Sequence, residues 1–265
     1  MPLVRIDDAA DPRVADYRDL TRGARAPETF VAEGRLIVRR LLGGSRFRIR
    51  SILATERALA GVADVVPADV PVYVAPGELI RRVVGFPFHR GCLAIGERGP
   101  DIPLDAILSG RRLVVLEGIT NPDNVGGVFR SAMAFGVDGV LLSPGCADPL
   151  YRRAIRVSMG GALRVPFAPL PAWPDELRRL RDAGFTVIAL TPDGGTDVAE
   201  LGVTRPFPLR FALVLGAEGD GVGGAARAAA HLTVAIRMAA GDHSLNVATA
   251  AGIALHHLAR SYELP

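Results

Sequence analysis

Lysine is missing from this chain of 265 residues: all 31 of its cationic Lys or Arg side chains are arginine. Two readings of that absence stand. A GC-rich genome favours Arg, Ala and Gly codons. Arg also suits phosphate and RNA, through its planar fork and its stacking on bases. Cysteine is nearly absent, at two residues, Cys92 and Cys146. Neither lies in a CxxC pair, so a disulfide framework or zinc ribbon has no support, and two buried free thiols are expected rather than a disulfide between them. No apolar run is long enough to span a bilayer without charges or prolines. The start, Met1-Pro-Leu-Val-Arg-Ile-Asp-Asp8, carries no signal-like apolar stretch,. A soluble cytoplasmic protein, without membrane or metal, is the expectation.

What is present suffices for one large or two smaller domains: 49% of residues are hydrophobic,. Charge is uneven. Residues 1–100 hold 16 Arg against 12 acids, and residues 101–265 hold 15 against 16. The N-terminal part is the more basic, as a nucleic-acid-facing module would be.

Residues 1–27 read as a polar arm carrying Arg18, Arg22 and Arg25. A small α/β module of residues 28–100 follows. It has a helix from Glu28 to Leu42 stopped by Gly43-Gly44, and strands at 49–54, 70–75 and 91–96, with a short helix over 78–84. Residues 101–110 read as a linker. From 111 to 265 five apolar runs, at 112–117, 139–143, 186–190, 211–215 and 232–236, alternate with helical segments near 124–135, 149–160, 174–183 and 222–230. A last helix runs from about 245 to 261. This pattern predicts a parallel sheet covered on both faces.

Three glycine-marked segments join apolar runs to helices. In Asn124-Val-Gly-Gly-Val-Phe-Arg130, Asn121 before Pro122 starts a helix,. Gly126 and Gly127 lie one turn before Arg130. They allow either a close approach of a phosphodiester or a helix–helix contact that needs small residues. In Leu215-Gly-Ala-Glu-Gly-Asp-Gly221 the glycines permit positive φ and expose backbone groups,. No GK[ST] follows and two acids would repel phosphate, so an acidic turn for a cationic or hydroxyl-rich ligand competes with an ordinary tight turn. In Ile236-Arg-Met-Ala-Ala-Gly-Asp-His-Ser-Leu-Asn246, Ser244 reads as a helix N-cap, and Asn246 shares that mouth,. His243 is a loop histidine more in keeping with surface than with catalysis, and His256-His257 reads as structural. In the N-terminal module Phe86-Pro-Phe-His-Arg-Gly91 fits either base stacking or core packing,.

Together the three segments resemble the motifs of the SpoU (TrmH-like) RNA ribose 2′-O-methyltransferases of the SPOUT superfamily. Asn124-x-Gly-x-x-x-Arg130 resembles the first motif, Leu215-Gly-x-Glu-Gly-x-Gly221 the second, and Ile236-x-Met-x5-Ser-Leu-Asn-Val247 the third. Glu33-Gly34, the Pro-Val-Tyr strand and His89-x-Gly91 resemble the substrate-binding domain often placed ahead of that catalytic domain. The resemblance implies an α/β fold: a SPOUT-type parallel sheet with a C-terminal trefoil knot, preceded by a small L30e-like α/β domain. It implies S-adenosylmethionine as cofactor, lined by Leu215, Gly216, Ile236, Met238 and Leu245. It implies a catalytic neighbourhood of Asn124, Arg130, Glu218, Ser244 and Asn246, with Arg130 anchoring phosphate, Asn124, Ser244 and Asn246 orienting ribose and loops, and Glu218 holding Asn124 or Arg130. It further implies a homodimer acting on RNA, ribosomal first and transfer RNA as the alternative. A non-catalytic RNA-binding protein of the same fold is the other alternative. Two departures stand out: Arg237 where the family commonly has Pro, and Asp242-His243 before Ser-Leu-Asn.

Overall fold

The computed structural model describes residues 1–18, 20, 28–201, 210–239 and 244–259. Arg22, Arg25, Asp242 and His243 lie outside the described residues. In chain order the elements are β1 (Leu3–Arg5), β2 (Thr29–Glu33), α1 (Arg35–Leu42), β3 (Ile49–Ala54), α2 (Glu56–Leu59), β4 (Val72–Val74), α3 (Gly77–Val84) and β5 (Cys92–Glu97). There follow α4 (Leu104–Ile107), β6 (Arg112–Glu117), α5 (Pro122–Ala134), β7 (Gly139–Leu142), α6 (Arg152–Val157), β8 (Phe167–Pro169) and α7 (Glu176–Asp182). The last are β9 (Thr186–Leu190), β10 (Thr196–Asp197), β11 (Phe211–Gly216), α8 (Gly224–Ala229), β12 (Leu232–Ala235) and α9 (Val247–Ala259).

The chain divides into two compact units, one of residues 1–100 with 150–164, the other of residues 101–149 with 165–265. The first unit holds a five-stranded sheet ordered β1-β4-β3-β5-β2. Its β1, β4 and β3 run parallel, and β5 is antiparallel to both β3 and β2. The segment read as an arm supplies β1 and a 3-10 turn whose Val14 and Tyr17 are buried. Tyr17 Oη and Ser51 Oγ share a buried hydrogen bond of 2.9 Å. Arg18 does structural work there, donating to the carbonyls of Ala9 and Asp11 at 3.2 and 2.8 Å.

The expected helix over 28–42 is half strand. Thr29–Glu33 is buried at every position and pairs with β5, and Gly34 at φ +98° breaks the chain before α1 begins. Thr, Phe and Val favour that pleated, enclosed setting. Glu33, only 5% exposed, is held by Arg152 at 3.1 Å and Arg90 at 3.9 Å. Arg152 belongs to α6, so residues 150–164 extend this unit despite their place in the sequence. They bring four Arg and no acid, which raises the unit to +8 and leaves the other at −5. Phe88 is core and the ring of Phe86 lies 4.0 Å beneath the Arg152 guanidinium, so packing accounts for both. Cys92 is buried, and that burial pushes its thiol pKa up to about 12.

The second unit is built on a seven-stranded sheet, β10-β12-β9-β11-β6-β7-β8, parallel at every pairing. Leu113, Val115, Val187, Ala212 and Val214 lie in one of its buried clusters beneath Leu177 and Leu180 of α7. Ile107, in the stretch read as linker, joins that cluster. From β6 the chain moves outward to β7, and from β11 it moves the other way, to β12. Ligands of open parallel sheets bind at the carboxyl ends of strands around such a reversal. Glu117 and Gly216, the last residues of β6 and β11, are register partners there. No helix among the described residues is long and apolar enough to cross a membrane.

His231 ties two strands in this sheet: the Val187 N–H donates to its Nδ1 at 3.0 Å. Desolvation, then the charge of Arg181, holds its pKa below the ordinary value of 6.5. Only a neutral imidazole accepts this bond, so the stabilisation is complete above the ordinary value and is lost as pH falls from there through the lower value of the folded state,. Denaturant melts of wild type and His231→Gln at pH 7.5 and 5 test this: wild type should lose stability relative to the variant on acidification. A pH-independent difference would contradict the assignment.

Candidate active site

The first segment begins α5. Asn121 Oδ1 accepts from the Asp123 N–H at 2.9 Å, capping the helix with Pro122 at its first position,. Asn124 follows, 6% exposed. Of the two readings of the glycines, the structure supports helix packing for Gly127: a Cβ there would overlap Cβ of Ala248 on α9. Arg130 is exposed and makes no hydrogen bond or ion pair among the described residues. At about 100° per residue it points roughly 120° away from Asn124 around the helix axis.

The second segment doubles back on itself. Ala217 and Gly221 form a β-bridge, with the Gly221 N–H donating to the Ala217 carbonyl at 2.9 Å. Gly219 and Gly221 take φ +90° and +66°. A Cβ on Gly216 would overlap the Gly221 carbonyl. The tip, Glu218 to Asp220, is exposed. Gly219-x-Gly221-x-x-Gly224 also spells the dinucleotide fingerprint, but the chemistry differs. The Gly223 N–H ahead of α8 donates to Glu117 Oε2 at 2.9 Å, so a carboxylate already occupies the place a pyrophosphate would take,.

The third segment delivers Asn246. The helix starts at Val247, so Asn246, not Ser244, is the cap: its Oδ1 accepts from the N–H groups of Ala248 (3.0 Å) and Thr249 (3.3 Å). Its Nδ2 donates to Asn124 Oδ1 at 2.8 Å and to Glu218 Oε1 at 2.7 Å. The orientation of this amide is forced. A carboxylate only accepts and helix N–H groups only donate, so nitrogen faces Glu218 and oxygen faces the helix. Glu218 therefore reaches Asn124 through Asn246, rather than directly. Arg237, in the place of a common Pro, bonds Asp197 at 2.9 Å and Glu200 at 3.4 Å. With its side chain 77% exposed, these pairs contribute only about 0.2–1 kcal/mol, but they tether the segment,.

Between the second and third segments lies a cavity. Leu215, Gly216, Ile236, Met238 and Leu245, the five residues expected to line a cofactor, all line it, as do Glu218 and Ser244. Leu190, Thr191 and Pro192, at the end of β9, form a further wall. Sequence reasoning missed them because Thr191-Pro-Asp-Gly-Gly195, the turn after that strand, belongs to none of the three motif segments; the signal was that β9 ends on the same sheet edge. Asn124 adjoins through its hydrogen bond to Asn246, and Arg130 stands apart from the cavity. No group of three or more His, Cys, Asp or Glu among the described residues could hold a metal. His256 packs edge-on against Phe135, with ring centroids 5.9 Å apart.

This parallel sheet, with a cavity and an amide-linked polar corner at its carboxyl edge, is the arrangement of an α/β protein with a small-molecule site at its strand ends,. Residues 111–256 match the model of the SpoU rRNA methylase family, and the chain belongs to that family. An uncharacterized tRNA/rRNA methyltransferase of Mycobacterium tuberculosis is 42% identical, over 96% of this chain and 91% of its own. Among solved structures, an AdoMet-bound rRNA methyltransferase from Sinorhizobium meliloti is similar, with TM-score 0.79 and 25% identity over 99% of both chains. So is the SpoU methyltransferase AviRb from Streptomyces viridochromogenes, with TM-score 0.78 and 25% identity over 94% of this chain and 97% of its own.

Gly216→Ala and Gly219→Ala separate crowding from backbone strain. Gly219 meets no atom within 4 Å, so its substitution costs only the positive-φ penalty, about 1 kcal/mol,. Gly216→Ala forces the turn open and should lower the thermal midpoint by several degrees more. Equal midpoints for the two variants would refute the crowding argument.

Proposed function

We propose that this protein transfers a methyl group from S-adenosylmethionine to a ribose 2′-OH of structured RNA, ribosomal RNA being the first candidate. The observation that carries the reading is the Asn124–Asn246–Glu218 chain of hydrogen bonds beside a cavity lined by all five expected cofactor residues.

The cavity suits this cofactor. Leu190, Leu215, Ile236 and Leu245 offer apolar walls to a purine, and the folded-back turn of Gly216 to Gly221 lets a ligand lie against backbone,. Glu218 is among the lining residues and would offer its carboxylate to the sulfonium charge. When bound, the cofactor supplies an electrophilic methyl on a good leaving group. What the protein must add is alignment and help for a hydroxyl that holds its proton tightly near pH 7. Ser244 and Asn124 orient the sugar, and Glu218 holds Asn246. Arg130 stays protonated and anchors the neighbouring phosphate, as its exposed guanidinium, unpaired among the described residues, permits.

The first unit is the RNA-holding domain, L30e-like, its charge of +8 attracting the backbone,. A groove in it is lined by Gly34, Arg35, Arg39, His89, Arg90 and Met159. The second unit carries the trefoil knot of its family, and the working form is a cytoplasmic homodimer.

Two variants test the division of labour, with methylated nucleosides of the product RNA identified by mass spectrometry. Wild type should yield 2′-O-methyl nucleosides, and base methylation alone would overturn the proposal. Arg130→Ala should reduce transfer by at least about a hundredfold, as loss of one preorganised electrostatic contact does, with cofactor affinity within a few-fold. Arg35→Glu should weaken RNA binding and flatten its salt dependence while sparing cofactor affinity. Unchanged transfer in the first variant, or unchanged RNA affinity in the second, removes the role assigned.

A further inference from the structure

Glu117 is used by none of the roles above, yet it sits at the carboxyl end of β6, beside Gly216 in register. Both of its oxygens are engaged. Oε1 accepts from Trp173 Nε1 at 2.7 Å, and Oε2 accepts from the Gly223 N–H at 2.9 Å. It makes no ion pair among the described residues, so a partly buried carboxylate is spent on two neutral donors. The contact is close: a Cβ on Gly223 would come within 2.9 Å of Oε1.

Its position gives this a purpose. The turn that lines the cavity leaves β11 at Gly216, folds back through the Ala217–Gly221 bridge and enters α8 at Gly223. The outgoing limb is fixed by the sheet. The return limb reaches the sheet through the Gly223 N–H and Glu117. A charge-assisted bond is the stronger kind, and here it meets the free N–H groups of a helix start. We infer that Glu117 is a positioning residue for the cofactor: it clamps the return limb, and thereby sets the turn against which S-adenosylmethionine binds. Trp173 occupies the other oxygen.

This rests on the proposed cofactor reading, and the test separates the two. Calorimetric titration with S-adenosylmethionine is run on the full chain as wild type, Glu117→Gln, Trp173→Phe and the double variant, with a thermal melt of each. In Glu117→Gln the amide must point its NH2 at one of two donors. Cofactor affinity should fall about tenfold, the scale of one charged hydrogen bond lost. Trp173→Phe leaves the Gly223 bond intact and should bind within about twofold of wild type. In the double variant the NH2 faces the phenyl ring and the amide oxygen is free for Gly223, so affinity should return to within about threefold of wild type. A merely structural role would not produce recovery on adding a second substitution. Wild type that fails to bind overturns this inference together with the reading beneath it. Wild type that binds, with Glu117→Gln binding equally well or the double variant no better than Glu117→Gln, overturns the inference alone.

Discussion

Asn246 does two things with one amide. Its oxygen caps α9, and its nitrogen bridges Asn124 on α5 and Glu218 at the tip of the acidic turn. Both N–H donors of that nitrogen are used, the oxygen accepts from the helix, and no other side chain satisfies the same set,. Aspartate would cap the helix but would present negative charge to Glu218. A serine would cap it but could not span to both partners. The hydrogen bond joins residues 122 positions apart, so the amide brings the first and third segments together and carries the second with them.

The parallel sheet makes that convergence geometrically available. Its strands end along one edge, and the chain reverses direction between β6 and β11, so the turns after β6, β9, β11 and β12 open on the same side. Helix packing then sets the depth. α5 and α9 approach closely because Gly127 and Ala248 are small. A larger residue at either position would push Asn124 and Asn246 apart. Of the two uses the sequence left open for this glycine, phosphate approach or helix contact, the folded chain supports the contact, on which the hydrogen bond above it depends.

Much of this was legible in the sequence. The runs at 112–117, 186–190 and 211–215 are enclosed strands whose apolar residues face helices on both sides, and their boundaries followed from flanking turns. The chain contains three Asn, Asn124 and Asn246 within the motif segments and Asn121 just ahead of the first, and no Gln. Other features were not legible. β2 merged with α1 because Thr29–Glu33 has no turn residue between it and the helix except Gly34. β8 and β10 are too short to show a period. The placement of residues 150–164 depends on Arg152 meeting a buried Glu33 119 positions away, which no local pattern announces. The bridging role of Asn246 is of the same kind: the residue could be singled out, its partners could not.

If the amide of Asn246 makes Asn124 and Glu218 act as one group, their contributions to turnover cannot be independent. A double-mutant cycle on methyl transfer, with Glu218→Ala, Asn246→Ala and the pair, measures this coupling directly. The account predicts that the double variant is scarcely slower than the slower single variant. Rate losses that multiply, as for two unconnected residues, would contradict it.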